Sequence, residues 1–141
     1  MTFLKNKSEF NLEASKILYE KSYYAPSVHC AYYSVFQLMK HILHSFCEIS
    51  FEDQEIDRRN INIIKKDQFI GVHDYVISKI ENELFRYDIL TYRNLSNKIK
   101  DLKNFRLKSD YENIEITEHS GRKACQLSKE INTELKKVFR I

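Results

Sequence analysis

The amino-acid sequence predicts an all-α fold, an antiparallel up-and-down bundle of about five helices, and three observations support this prediction. Two glycines and one proline among 141 residues leave little material for the turns of a sheet-rich fold. Apolar residues recur at intervals of three and four along most of the chain, which is the period of an amphipathic helix. The length fits a single domain spanning residues 1–141, because a domain typically has ~100–200 residues.

The stretch Tyr23–Phe46 is predicted to be the central helix. Pro26 suits the first turn of a helix, where its missing N–H has no intrahelical partner to lose. Most of the helix surface is apolar, and the polar residues form one narrow stripe at helical spacing. The stripe comprises Ser27, Cys30, Ser34, Gln37, His41 and His44. A surface helix has the opposite pattern, so we expect neighbouring helices on most sides of this one. The polar stripe is expected to face solvent or the rim of the bundle. The alternative is that the stripe lies at a dimer contact.

One helix is predicted before the central helix, and a polar segment and a further helix are predicted after it. The first runs from about residue 8 to 22, with Ser8 as its N-cap. Residues 48–66 are polar and have no clear period, so they are expected to be irregular or to include one short helix. Asp67 is expected to cap the next helix. The apolar face of that helix comprises Phe69, His73, Val76, Ile77, Ile80 and Leu84.

Two more helices are predicted from residue 88 onward, and Thr117 is expected to be the N-cap of the second. One runs from about residue 88 to 108, and its apolar stripe comprises Tyr92, Leu95, Ile99 and Leu102. The next residue in phase is Arg106, and a buried guanidinium is costly unless it is paired. Asp110, four residues on, is the local partner. The other helix begins at Thr117, and its apolar face comprises Ala124, Leu127, Ile131, Leu135 and Val138.

Composition narrows the function classes. The net charge of +3 is too small to require a nucleic-acid partner, and the basic stretches 58–66 and 98–108 are interpreted as solvated faces. Cys30, Cys47 and Cys125 lack metal-type spacing and indicate a reduced, cytoplasmic protein. No membrane span or signal peptide is expected. His41 and His44 have a spacing that can bind a metal, but no third ligand is evident, so no metal site and no cofactor are predicted.

A short motif in the central helix, A-Y-Y-S-x-F, is formed by Ala31, Tyr32, Tyr33, Ser34 and Phe36. Together with the helix and tight turn before it, this motif resembles the opening hairpin of HEPN domains.

Two later segments resemble a prokaryotic subgroup of the same family. That subgroup carries a His at the start of its third helix and an R-x-x-(A/S)-D-Y signature. His73 takes the first position, and the signature is matched by Arg106, Ser109, Asp110 and Tyr111. The segments cover most of the chain in the family's order.

The resemblance implies an antiparallel bundle with a four-helix core that pairs as a homodimer. Many members are metal-independent ribonucleases of prokaryotic toxin–antitoxin or phage-defence loci, often beside a minimal nucleotidyltransferase. Their catalytic motif is R-x(4–6)-H, often with Asn after the Arg. The His handles a proton near neutral pH, and the Arg holds the charged phosphate.

The R-x(4–6)-H motif is absent from this sequence. Arg93 and Asn94 resemble its start, but positions 98–100, where the His should stand, hold Lys, Ile and Lys. No other Arg, Arg106 included, has a His at the required distance. This departure weakens the expectation of family-type RNA cleavage.

Candidate site residues follow from these matches. The catalytic candidates are Arg106, His73 and Arg93, and the binding candidates are Arg106, Asp110, Tyr111, Asn94 and Lys98. Arg106 and Asp110 either bind a phosphate or form a structural ion pair, and the ion pair is favoured because Asp110 would neutralise the Arg charge. Tyr111 is interpreted as a packed ring. His73 is interpreted as a core residue, unless the third and fourth helices bring it to Arg106.

The favoured function is a dimeric, non-catalytic HEPN-like module that binds a nucleotidyltransferase or another defence-system protein. The alternative is a metal-independent ribonuclease, or an RNA- or nucleotide-binding protein, with a non-standard site.

Overall fold

The computed structural model describes residues 2–141, which form six α-helices and no strand. The helices are α1 (Leu4–Glu20), α2 (Tyr24–Ser45), α3 (Phe51–Ile64), α4 (Val72–Tyr87), α5 (Ile89–Tyr111) and α6 (Glu118–Phe139). The predicted all-α bundle is confirmed. None of these helices is long and apolar enough to span a lipid bilayer.

Helix α2 is the centre of the bundle, as predicted. Helices α1, α6, α5 and α4 surround it in that order, each packed against α2 and against the next helix. Ala31 and Ser34 of α2 bond to Ser128 and Asn132 of α6 in the same order along both helices, so α2 and α6 are parallel. Helices α1 and α5 run in the opposite direction. The ring is open between α1 and α4, and α3 lies outside it against α4.

Polar side chains cap the last two helices, and the cap predicted at Thr117 is confirmed. The Asp88 carboxylate accepts a hydrogen bond from the Thr91 backbone N–H at 3.0 Å, and the Thr117 hydroxyl accepts one from the Ser120 N–H at 3.2 Å. Each bond satisfies a backbone donor that the first turn of a helix leaves free.

The predicted start of the first helix is wrong. Helix α1 begins at Leu4, and Ser8 lies inside it, fully buried. Its hydroxyl donates to the Ser34 carbonyl of α2 at 2.6 Å instead of capping its own helix. A tertiary contact has replaced the local one that the sequence pattern indicated.

Of the two alternatives for the segment from 48 to 66, the structure shows the helical one. The segment contains the 14-residue helix α3, whose N-cap Ser50 accepts a hydrogen bond from the Asp53 N–H. Polar contacts hold α3 in place: the Asp57 carboxylate accepts from the Tyr75 hydroxyl at 2.7 Å and pairs with Lys79 at 3.0 Å.

Asp67 does not cap the next helix. The Asn62 side chain bonds to both backbone groups of Ile70, which fixes the turn after α3 and delays the start of α4 to Val72. Phe69, predicted on the apolar face, therefore lies in the connection and is 81% exposed. The remaining apolar positions of α4 keep their helical spacing.

The prediction that the polar stripe of α2 faces solvent or the rim is wrong for its two serines, whereas Cys30, Gln37, His41 and His44 are half-buried. Ser27 and Ser34 are fully buried and face α1. The Ser27 hydroxyl donates to the Ser15 carbonyl at 2.7 Å, while Ser34 and Ser8 each donate to the other's carbonyl. Small side chains let the two helices approach closely, and the facing carbonyls satisfy their hydroxyls.

Replacing Ser34 by Val should lower the free energy of unfolding by roughly 2 kcal/mol. The added methyl groups crowd the α1–α2 contact, and the Asn132 amide, which donates to the Ser34 hydroxyl at 3.1 Å, loses an acceptor. Urea unfolding followed by circular dichroism measures the change. The matched control is Ser78→Val on the exposed side of α4, and equal losses in the two variants would contradict the prediction.

Candidate functional site

Arg106 lies near the end of α5, at the point where the apolar stripe of that helix continues into the bundle. Leu95, Ile99 and Leu102 are buried against the core, and Arg106 is the next residue on the same face. Its side chain is 9% exposed. The prediction that a guanidinium stands at the end of a buried stripe is therefore confirmed.

Three polar groups bond to the Arg106 guanidinium. Nε donates to the Asp110 carboxylate at 2.9 Å, and Nη2 donates to the hydroxyls of Tyr33 at 3.1 Å and Tyr111 at 3.3 Å. The guanidinium carbon also lies 5.3–5.4 Å from the ring centroids of Tyr32, Tyr33 and Tyr111, which is within cation–π range. The positive charge is thus held by protein groups.

Asp110 joins this cluster to a histidine of α2. His29 Nδ1 lies 2.9 Å from an Asp110 carboxylate oxygen, and the His29 ring lies 4.6 Å from that of Tyr33. The Asp110 side chain is 19% exposed, so its charge is only partly screened by water. Arg106 and Asp110 form the ion pair that the sequence favoured.

His73 lies in the first turn of α4 and reaches the same aromatic residues. Its ring stacks on Phe36 at a centroid distance of 4.1 Å, and its Nδ1 lies 2.9 Å from the Tyr32 hydroxyl. The His73 ring also contacts those of Tyr32 and Tyr33, the two rings that contact Arg106. The structure therefore brings His73 and Arg106 to one cluster, which the sequence left open.

The cluster favours the neutral form of His73. Burial, together with the nearby charges of Arg106, Lys103 and Lys40, lowers the pKa of His73, while Asp74 acts in the opposite direction. Burial also raises the pKa of Tyr32, so its hydroxyl keeps its proton. Tyr32 can then donate to Nδ1 of neutral His73, which places the His73 proton on Nε2.

Three other candidates lie outside this cluster. Asn94 and Lys98 both bond to Glu134 on α6, at 3.2 and 2.8 Å, and Arg93 is exposed. Arg93 precedes Arg106 by 13 positions, roughly 20 Å along an α-helix. Arg93 is therefore too far along α5 to belong to a site that contains Arg106 and His73.

Sequence reasoning missed two members of the cluster. Neither Tyr33 nor His29 is among the candidate site residues that the sequence indicates. The two residues are four positions apart on α2, so they lie on the same side of that helix. This four-residue spacing was the available signal in the sequence. It does not indicate that α5 packs against that side of α2.

No metal centre is evident in the part of the chain that the structure describes, because no three His, Cys, Asp or Glu side chains cluster there. His41 bonds to the Thr2 hydroxyl at 2.9 Å, and His44 stacks on Phe51. Burial raises the pKa of the Cys47 thiol to about 11, which disfavours the thiolate that would bind a metal.

Comparisons of the chain with protein-family models, curated proteins and solved structures found no match.

His73 should make the folded state less stable in acid. Its pKa is lowered in the folded state, so the unfolded chain binds the proton first as the pH falls below the ordinary value of 6.5, and stability is lost from there downward. His73→Gln should lose less unfolding free energy than the native chain between about pH 7.5 and about pH 5.5, measured by urea unfolding. His119→Gln, exposed on α6, is the control, and identical pH dependence in all three proteins would contradict this prediction.

Proposed function

We propose that this chain is a HEPN-like, dimeric helical module that acts as a non-catalytic interaction component of a prokaryotic toxin–antitoxin or phage-defence system. The observation that carries the proposal is the commitment of Arg106 to partners within the chain. Asp110 neutralises its charge, and the hydroxyls of Tyr33 and Tyr111 occupy Nη2. A phosphate would have to displace Asp110 before Arg106 could stabilise it.

The state of His73 supports the same proposal. Its Nδ1 is engaged with Tyr32 and its ring with Phe36. No carboxylate among residues 2–141 hydrogen-bonds to His73, so it lacks the partner that usually orients a catalytic imidazole and stabilises its charged form. The missing R-x(4–6)-H motif agrees with this view.

An apolar surface at the opposite end of the bundle supports an interaction role. Helices α2 and α4 end there, and α5 begins. Five large apolar side chains at this end are between 46% and 69% exposed: Phe46, Phe85, Tyr87, Ile89 and Leu90. We call them the apolar end. Clusters of exposed apolar side chains often mark interaction sites.

A second copy of this chain is the occupant that we propose for the apolar end. Glu83 and Arg86 border it and form an ion pair at 3.0 Å, with Arg86 75% exposed. A surface that carries both charges beside an apolar centre can complement itself about a two-fold axis, as an isologous dimer requires. The other proposed partner is a nucleotidyltransferase or another protein of the same locus, which the neighbouring reading frame would reveal.

The self-association prediction rests on Leu90, which is 69% exposed. The native chain should have dimer mass at micromolar concentration in light scattering, and Leu90→Glu should have monomer mass, because the new carboxylate would be desolvated in the interface. Ile64→Glu, at an 80% exposed position at the end of α3, should remain dimeric. A monomeric native protein would refute the dimer, and a dimeric Leu90→Glu variant would refute this surface.

RNA cleavage is the second candidate function, and one observation favours it. His73 and Arg106 contact the same two tyrosines, so both belong to one cluster, and a phosphate could enter it if Asp110 moved away. In that case His73 would transfer a proton through Nε2, and Arg106 would stabilise the phosphate charge.

Incubation with labelled single-stranded RNA separates the two functions. The proposed function requires that purified native protein leave the RNA intact. Cleavage that is lost in both His73→Gln and Arg106→Met, but retained in the control Arg122→Met on the exposed side of α6, would reject that proposal and support the ribonuclease. Cleavage that all four proteins share would reject the His73–Arg106 cluster as its source.

A further inference from the structure

A cavity of about 270 Å³ opens on the side of α2 that the ring of helices leaves uncovered, between the start of α1 and the start of α3. It is separate from both the Arg106 cluster and the apolar end. Its lining residues are Thr2, Phe3, Leu4, Lys7, Lys40 and Phe51.

Contacts behind the lining hold the walls of this cavity in place. The Phe51 ring stacks on His44 at a centroid distance of 4.5 Å, so α2 supports the first residue of α3. On the opposite wall, the Thr2 hydroxyl bonds to His41 Nδ1 at 2.9 Å and accepts from the Leu4 N–H at 3.2 Å. Helix α2 therefore positions both the aromatic wall and the start of α1.

The two lysines of the cavity have no anionic partner. Neither Lys7 nor Lys40 has a carboxylate oxygen within 4.0 Å of Nζ among the described residues, although Glu52 and Asp53 follow in the first turn of α3. Lys40 Nζ instead lies 5.5 Å from the Phe51 ring centroid. Two free ammonium groups beside an apolar surface leave room for an external anion.

Lys5 adds a further positive charge near this wall of the cavity. Burial is the main factor that lowers the pKa of His41, and the nearby charges of Lys5 and His44 lower it further. His41 lies directly behind the wall that Thr2 forms.

We infer that this cavity binds a small aromatic anion, a single ring that carries a phosphate or carboxylate group. The ring would pack against Phe3 and Phe51, and the anionic group would bond to Lys7 and Lys40. The size fits this class, because a cavity of about 150 Å³ holds a benzene ring, and the remaining volume accommodates one charged group. The inference is independent of the proposed dimer.

Protein-detected NMR titration tests the inference with four probes. Phenyl phosphate and benzoate contain both parts of the proposed ligand, benzyl alcohol lacks the charge, and inorganic phosphate lacks the ring. At least one of the first two should shift the amide signals near Lys7, Lys40 and Phe51 and bind about tenfold more tightly than either incomplete probe. The tighter of the two identifies the anionic group that the lysines prefer.

Variants separate this site from general attraction to a basic protein. The double variant Lys7→Gln/Lys40→Gln should bind the preferred probe about tenfold more weakly, and Phe51→Leu should weaken it while the lysines remain. The control is Lys66→Gln, an exposed lysine beyond the far end of α3, roughly 20 Å from Phe51. Far-UV circular dichroism checks that each variant is folded.

Three outcomes would overturn the inference. One is the absence of localised shifts at millimolar concentrations of both complete probes. Another is equal binding of inorganic phosphate, which would mean that the cavity recognises charge alone. The third is an equal loss of affinity in the Lys66→Gln control and the double variant, which would mean that net charge, and not this cavity, attracts the anion.

Discussion

The close approach of α1 to α2 organises the bundle, and it depends on serine hydroxyls that bond to backbone carbonyls across this helix pair. Ser8, Ser15, Ser27 and Ser34 are fully buried, and larger side chains there would force the two helix axes apart. Three of these four hydroxyls donate to a carbonyl of the facing helix, so burial leaves their donors satisfied. The donors and acceptors match at one axial alignment, and the contact therefore sets the register of α1 on α2.

This alignment determines which side of α2 is left for the other helices. With the polar stripe turned to α1 and α6, the side that carries Tyr32, Tyr33 and Phe36 faces α4 and α5. Arg106 enters there from α5, and its desolvation would be costly without Asp110 and the tyrosine hydroxyls. The cluster therefore fastens the end of α5 to α2. A charged group has become part of the core, and the same bonds that stabilise it there reduce its capacity to bind a phosphate.

The parts of this structure that depend on neighbouring residues in sequence could be predicted, and the parts that depend on helix packing could not. The cap at Thr117 and the Arg106–Asp110 pair each span a few positions, so their residues alone indicate them. Ser8 has the same local signature as a cap, but its hydroxyl donates to the Ser34 carbonyl of α2 instead of capping its own helix. The sequence indicates α3 only as one of two alternatives, because Asp57 and other polar side chains, more than an apolar face, hold it to α4. The meeting of His73 with Arg106 requires α4 and α5 to pack on adjacent sides of α2, which no local pattern specifies.

The buried helix α2 also separates the candidate surfaces of the molecule. Tyr33, in the Arg106 cluster, and Phe46, in the apolar end, are 13 positions apart, roughly 20 Å along the helix axis. A partner bound at the apolar end would therefore leave the Arg106 cluster uncovered, and loss of the partner need not disturb the bonds of Arg106. The cavity at Lys40 lies between these two surfaces on the uncovered side of the same helix. Because Lys40 also contributes to the field that lowers the pKa of His73, an anion bound there would offset part of that field and make His73 easier to protonate.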